Sequence, residues 1–146
     1  MFIKANGISF VSGSDKITIN ATTGSDQTFT WKLNISQEHK ERKLKVLFGT
    51  WNQSWKLVER VMITVEQKLS GNTTVHRSSQ NRMSRRLYWF GDLKRDYYIA
   101  FQLVNIQRDD AGDYGVKLRV DNFPYRPVTL QSWFTLKVEV RKKTIL

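Results

Sequence analysis

The sequence predicts an all-β fold, a two-layer antiparallel β-sandwich of about nine strands. Three observations carry this expectation. Short runs of alternating apolar residues recur along the 146-residue chain, with turn-forming clusters about every ten residues between them. No segment combines the start and stop signals of a long helix. A content of 40% apolar and 12% aromatic residues belongs to a folded globule, not to a disordered chain. The length suits one domain, taken as residues 1–140 with 141–146 as a linker stub.

In chain order, Ile8-Ser9-Phe10-Val11 reads as a short edge strand closed by the turn-rich Ser12-Gly13-Ser14-Asp15, and Ile17-Thr18-Ile19 as a second short strand. After the turn at Thr22 to Asp26, residues Thr28 to Ile35 place Phe29, Trp31, Leu33 and Ile35 on one face. Gln37 to Lys43 is charged and reads as a loop. Leu44 to Gly49 follows as a strand, with Leu44, Val46 and Phe48 inward and Lys45, Leu47 and Gly49 outward. Trp55 to Gln67 is rich in β-branched residues around Val61 to Val65, so a strand is expected, although Leu57, Val61 and Val65 also fit a helical spacing. Leu69 to Ser84 has few apolar residues and is expected to be an edge and the least ordered part.

The stretch from Asp109 to Val120 is the most informative. Its second half alternates strictly: Tyr114, Val116, Leu118 and Val120 on one side, Gly115, Lys117 and Arg119 on the other. Its first half reads as a tight corner, in which Asp110 can bond backbone two residues on and Gly112 supplies conformational freedom. Asp121 to Pro127 is then a loop. Leu130 to Val140 is a long final strand, with Leu130, Phe134, Leu136, Val138 and Val140 on one face and Trp133, Thr135, Lys137 and Glu139 on the other.

The Asp-x-Gly-x-Tyr corner followed by an alternating strand resembles the start of strand F in an immunoglobulin domain, where the Tyr hydroxyl bonds back to the corner. Taken with Arg86 upstream, it is similar to the variable type, in which an Arg at the start of strand D pairs with the corner Asp, here Asp110. The kind most resembled is the myelin-protein-zero-like adhesion domain. The resemblance implies strands A and A′ before residue 20, B at Thr28 to Ile35, then C, C′ and C″, D and the turn after it at Arg86 to Asp92, E at Phe101 to Ile106 with Phe101, Leu103 and Ile106 in the core, and then F and G. One departure is plain. The family's second disulfide cysteine falls at Val116, its first at Trp31 or Leu33, and the chain has no Cys. A bridge closing a loop of about 85 residues is worth roughly 4 to 5 kcal/mol in the chain-entropy model, so packing of Val116 against Trp31 or Leu33 is expected to replace it. The missing bridge also makes the chain similar to the allorecognition receptors of colonial hydroids. The family's strand C Trp has two candidates here, Phe48, or Trp51 if a bulge intervenes.

Lack of Cys points to a reducing compartment, but four Asn-x-Ser/Thr sequons point outward, at Asn20, Asn34, Asn52 and Asn72. Eight Asn and 23 Ser plus Thr would give about one by chance, so glycosylation of a secreted or surface protein is expected. No signal peptide or membrane span is visible, and membrane association is expected only through an anchor outside this chain. The net charge of +11 and pI near 10.1 imply attraction to polyanions without saying anything about fold. The basic residues cluster at Lys40 to Lys45, Arg82 to Arg86 and Arg141 to Lys143, none of them a long block.

Candidates for chemistry are few. His39 and His76 are the only histidines and sit in polar, loop-like surroundings, which leaves little for a triad or a zinc site. Phosphate-binding glycine motifs are absent, and Asp109, Asp110 and Asp113 suit a structural corner better than a carboxylate or calcium site. No enzyme activity, cofactor or metal is expected. What remains is surface. The resemblance implies recognition through the sheet of strands G, F, C and C′, whose outward residues are Lys45, Leu47, Lys117, Arg119, Trp133, Thr135 and Lys137. A Trp and a Leu among cations have the composition of an interface core with a charged rim. The expected partner is a protein, a second copy of the chain or a related surface protein on an apposed cell, bound weakly and reinforced by many copies. No nucleic acid is expected. Two like-charged faces repel, so self-recognition needs Glu59, Glu66, Asp121 or Glu139 to meet cations across a two-fold axis. The alternative is a polyanion-binding domain for acidic glycan or nucleic acid, using the basic surface and interleaved tryptophans.

Overall fold

A computed structural model describes residues 7–11, 17–78 and 81–142. The turn expected at Ser12 to Asp15, and most of the linker stub, lie outside those residues. Ten strands form two sheets: β1 (Ile8–Phe10), β2 (Ile17–Thr22), β3 (Gln27–Ile35), β4 (Leu44–Asn52), β5 (Leu57–Gln67), β6 (Thr73–Arg77), β7 (Leu87–Trp89), β8 (Tyr98–Leu103), β9 (Gly112–Val120) and β10 (Val128–Glu139). The back sheet has the order β1-β3-β8-β7 and the front sheet the order β2-β10-β9-β4-β5-β6. All pairings are antiparallel except β2 with β10, which run parallel with Phe134 opposite Ile17 and Glu139 opposite Thr22.

Strict alternation places the core. On β3 the residues Phe29, Trp31, Leu33 and Ile35 are buried and their neighbours exposed, and on β9 Tyr114, Val116, Leu118 and Val120 are buried. With no cysteine to join them, the sheets meet through aromatic rings. Phe29 stacks on Phe134 at 4.5 Å between centroids, Phe48 lies 4.9 Å from Phe101, and Trp31 lies 5.9 Å from Phe134. Val116 is fully buried in the same cluster as Trp31 and Leu33. Phe48, and not Trp51, holds the core position on β4. The β4–β5 ladder shifts register between Phe48 and Gly49 and again before Trp51.

The structure fixes the corner before β9 with bonds of its own. Arg86 grips the Asp110 carboxylate with both arms, at 2.6 and 2.8 Å, and its second arm also reaches the Asn105 carbonyl at 3.0 Å. These bonds to Asp110 raise the Arg86 pKa further above its usual value. The Tyr114 hydroxyl donates to the Asp110 carbonyl at 2.5 Å. The Asp110 carboxylate accepts from the Gln107 N–H at 2.7 Å, three residues back and not two residues on. Gly112 has a φ of 158°, a backbone angle that residues with a side chain rarely adopt, although a Cβ there would meet only the Tyr114 ring at 3.7 Å or more. The corner is therefore set by its hydrogen bonds together with the conformational freedom of Gly112. Charge-assisted bidentate pairs of this kind are the strong ones.

Other boundaries differ from the sequence reading. Gln37–Lys40 is a one-turn helix, α1, capped by Ser36. It buries His39 to 3% exposure, with its Nδ1 3.2 Å from the Ser36 hydroxyl, because a polar cap lets a short charged segment turn inward. The strand expected at Phe101 to Ile106 is β8, which starts at Tyr98 and ends at Leu103; Ile106 is buried from the loop beyond. Arg86 closes a 3-10 turn, and the strand after it is only Leu87–Trp89. β10 starts at Val128, and Val140 lies past its end, exposed.

Removing Phe48, whose ring is fully buried, should cost about 3 to 5 kcal/mol in urea unfolding of Phe48→Ala. Burial, then the Asp110 charge, lifts the Tyr114 hydroxyl pKa from 10.0 to about 12. A phenol harder to ionise in the folded state contributes stability that is complete below pH 10 and lost as pH rises towards 12, on the order of 2 kcal/mol. Urea titrations at pH 8 to 11.5 should show wild type losing stability above pH 10 more steeply than Tyr114→Phe.

Candidate recognition face

The outward side of the front sheet is a grid fixed by strand register. One row reads Thr129, Arg119, Lys45 and Glu66 from β10 to β5. The next reads Gln131, Lys117, Leu47 and Thr64. In the third, Trp133 stands opposite Gly115, Gly115 opposite Gly49, and Gly49 opposite Val61. Below them Thr135 pairs with Asp113 and Trp51 with Val58. The register thus brings the front-sheet residues predicted from sequence onto one surface, with Lys137 exposed at its lower edge.

Gly49 was expected to be exposed with them and is buried instead, because the β5 backbone crosses where its side chain would be and a Cβ would collide with the Arg60 carbonyl. The two adjacent glycines leave a shallow floor, and Trp51 fills it. A Cβ on Gly115 would lie 2.5 Å from the Trp51 ring. Trp51 stacks on Trp133, with centroids 6.1 Å apart and planes within 8°. Regular alternation along β4, whose pairing with β9 runs unbroken from Leu44 to Thr50, points Trp51 outward, while the register shifts are taken up by extra residues on β5. Sequence reasoning singled out Trp133 and offered Trp51 either for the core, if a bulge intervened, or among the interleaved tryptophans of a polyanion-binding surface. The signal it passed over is Gly115, a glycine inside a strand, which marks a close approach of other atoms.

Both rings are half-buried. The Trp51 indole N–H is buried with no hydrogen-bond partner among the described residues, an arrangement that costs about 1 to 3 kcal/mol. Around the pair, Gln131 reaches from β10 to the Val58 N–H at 3.4 Å. The Asp113 carboxylate accepts from Thr135 at 2.6 Å and from Gln53 at 3.1 Å, so the three aspartates of the corner go separate ways: Asp110 inward to Arg86, Asp113 to the front face, Asp109 to solvent.

The charges are polarised along the strands. Lys45, Lys117 and Arg119 stand towards the end carrying the loops after β3, β5 and β9, where Lys43 and Lys45 flank Glu66 at 3.7 and 3.8 Å. Asp113 and Glu139 stand towards the other end, where Lys137 also lies. Asp121, at the loop end, accepts from the Phe123 N–H at 3.1 Å, and Glu59 is exposed on β5. The sequons avoid the middle of this face. Asn34 projects from the back sheet opposite Ser9, Asn72 lies in the turn before β6, Asn20 is on the outermost strand β2 opposite Lys137, and Asn52 closes β4 with its amide oxygen on the Trp55 N–H at 2.8 Å. Among the described residues no group of three His, Cys, Asp or Glu could hold a metal, and no helix is long and apolar enough to cross a membrane.

The sequence matches no family model and no curated protein. The fold, by contrast, is shared with solved structures. Murine CRIg is 14% identical over 90% of this chain and 98% of that chain, with a TM-score of 0.63. Domain 1 of VCBP3 from Branchiostoma floridae is 8% identical over 90% and 94%, with a TM-score of 0.67. The NK cell receptor NKp44 is 15% identical over 86% and 100%, with a TM-score of 0.56. The chain therefore has the fold of an immunoglobulin variable-type domain, built without the inter-sheet disulfide.

Trp51→Phe keeps a ring on the glycine floor and removes the orphan donor, so its urea midpoint should correspond to a change within about 1 kcal/mol. Gly115→Ala drives a methyl into the Trp51 ring and should destabilise by about 1 to 3 kcal/mol in the same assay.

Proposed function

We propose that this chain is an extracellular, non-enzymatic recognition module that binds another protein through the front sheet, the partner being a second copy of itself or a related surface protein on an apposed cell. Residues 1–140 form one variable-type domain in this reading, and residues 141–146 a linker to whatever follows. The observation that carries it is the stacked Trp51–Trp133 pair on its glycine floor, with Leu47, Lys45, Lys117 and Arg119 in the two rows along one side of it. Half-buried aromatics with a cationic rim have the make-up of a binding hot spot.

Two further features support the choice of face and partner. Asn34 would carry its glycan on the outside of the back sheet, and the remaining sequons lie at turns or at the outermost strand, so sugars leave the centre of the front sheet open. The lengthwise polarity suits self-pairing in one orientation. When two copies meet face to face with strands running oppositely, the Arg119, Lys45 and Lys117 end of one lies over the Asp113 and Glu139 end of the other, with the tryptophans near the axis. With strands running the same way, cations face cations and the pair is disfavoured. Kinship with myelin-protein-zero-like adhesion domains or with hydroid allorecognition receptors belongs to this proposal and rests on the corner motif and the absent bridge.

Sedimentation velocity over a concentration series tests it. Wild type should self-associate in about the micromolar to hundred-micromolar range and aggregate coated beads, and Trp133→Ala, at a hot-spot loss of about 2 kcal/mol or more, should shift the midpoint by about thirtyfold. A wild-type protein that stays strictly monomeric at high micromolar concentration and leaves beads dispersed would remove the self-recognition reading.

A further inference from the structure

We infer a second binding site, independent of the front sheet, for a sulfated or carboxylated polysaccharide in the groove at the base of the sandwich. The turn after β2, the loop between β8 and β9 and the segment after β10 meet there, at the end opposite the loops after β3, β5 and β9. They enclose an open groove of ≈ 820 Å³. Of its eight lining residues three are cationic, Arg108, Arg141 and Lys142, and none is acidic. None of the three cations takes part in an ion pair among the described residues. Cations gathered around a concavity with no acidic residue in its lining raise the local potential and concentrate anions there.

The floor is fixed before any ligand arrives. Gly24 N–H donates to the Ile106 carbonyl at 2.7 Å, Ile106 N–H to Ser25 at 2.8 Å, and Thr23 N–H to Glu139 at 2.9 Å. Arg141 N–H donates to the Thr23 hydroxyl at 2.9 Å, and the Ile106 side chain is 1% exposed. From below, Arg86 holds the Asn105 carbonyl while paired with Asp110. The neighbouring Asp26 is occupied by the Asn105 N–H at 2.9 Å. Ordering on binding is then confined to three side chains, which favours association.

The lining chemistry selects among polyanions. Thr23, Asn105 and Gln107 offer hydroxyl and amide groups suited to sugar hydroxyls between the charged substituents. No aromatic residue lines the groove, whereas single-stranded nucleic acid is ordinarily held by stacking its bases on aromatic rings. The open shape accommodates a passing chain better than it would enclose a single small anion.

Calorimetry with a heparin octasaccharide at low and physiological salt tests the assignment. Wild type should bind, with affinity falling as salt rises. The triple variant Arg108→Gln, Arg141→Gln, Lys142→Gln should bind about tenfold more weakly, as expected for the loss of three exposed charge contacts. The front-sheet variant Lys45→Gln, Arg119→Gln should bind within about twofold of wild type; because all five side chains sit on the surface, circular dichroism should show both variants folded. Equal weakening by the front-sheet variant would mean that binding follows total charge and would overturn the site, as would no binding by wild type at low salt. A dT12 oligonucleotide bound as tightly, with the same dependence on the three cations, would overturn the polysaccharide assignment. Loss of self-association in Trp133→Ala, with heparin binding retained, keeps the two surfaces distinct.

Discussion

The structure depends on two sheets closing over one another with no covalent tie between them. Phe48, on the middle strand of the front sheet, makes that closure. Its ring contacts those of Phe29, Trp31, Phe101, Tyr114 and Phe134, at centroid distances from 4.9 to 6.4 Å. Each aromatic pair adds about 0.5 to 1.5 kcal/mol beyond the area it buries. Three of these contacts, to Phe29, Trp31 and Phe101, cross between the sheets, and Tyr114 and Phe134 brace the ring from within its own sheet. Together they amount to the same few kcal/mol as a disulfide closing a loop of this length, so the chain replaces a constraint on the unfolded state with contacts in the folded one.

That core also sets the recognition face. Because side chains alternate, Phe48 pointing inward commits Lys45 and Leu47 to the outside, and a register slip of one residue would exchange the two sets. The same alternation, unbroken along β9, brings Trp51 to the surface, where Gly115 leaves room for its ring. The aromatic pair on the front sheet is in this sense the outer side of the packing around Phe48.

A similar dependence links the corner to the base. The Arg86–Asp110 pair and the Tyr114 hydroxyl hold the loop between β8 and β9 against the start of β9. The same loop, tied to the turn after β2, forms one wall of the cationic groove. A buried ion pair is weak evidence for stability by itself, since desolvation offsets much of the attraction. Here its geometric effect matters more, because it fixes the carbonyl of Asn105, whose φ is 50°, beneath a site that needs a rigid rim.

Much of this was legible in the sequence, and the limits are instructive. Alternation identified the inward residues of β3 and β9 and the outward residues of the front sheet, because a period of two needs only local information. The corner motif located Arg86 beside Asp110 although 24 residues separate them, since the resemblance carried a long-range contact that periodicity cannot. The start of β8 at Tyr98, the burial of His39 and the stacking of Trp51 on Trp133 were not legible. Each is decided by what packs against the segment: β3 beside Tyr98, the Ser36 cap beneath His39, and Gly115 under Trp51. The sequence alone therefore determined a cysteine-free variable-type sandwich and which face of each regular strand is apolar. Tertiary structure decided where cations lack counter-charges and which two tryptophans meet, because those depend on distances between segments far apart in the chain.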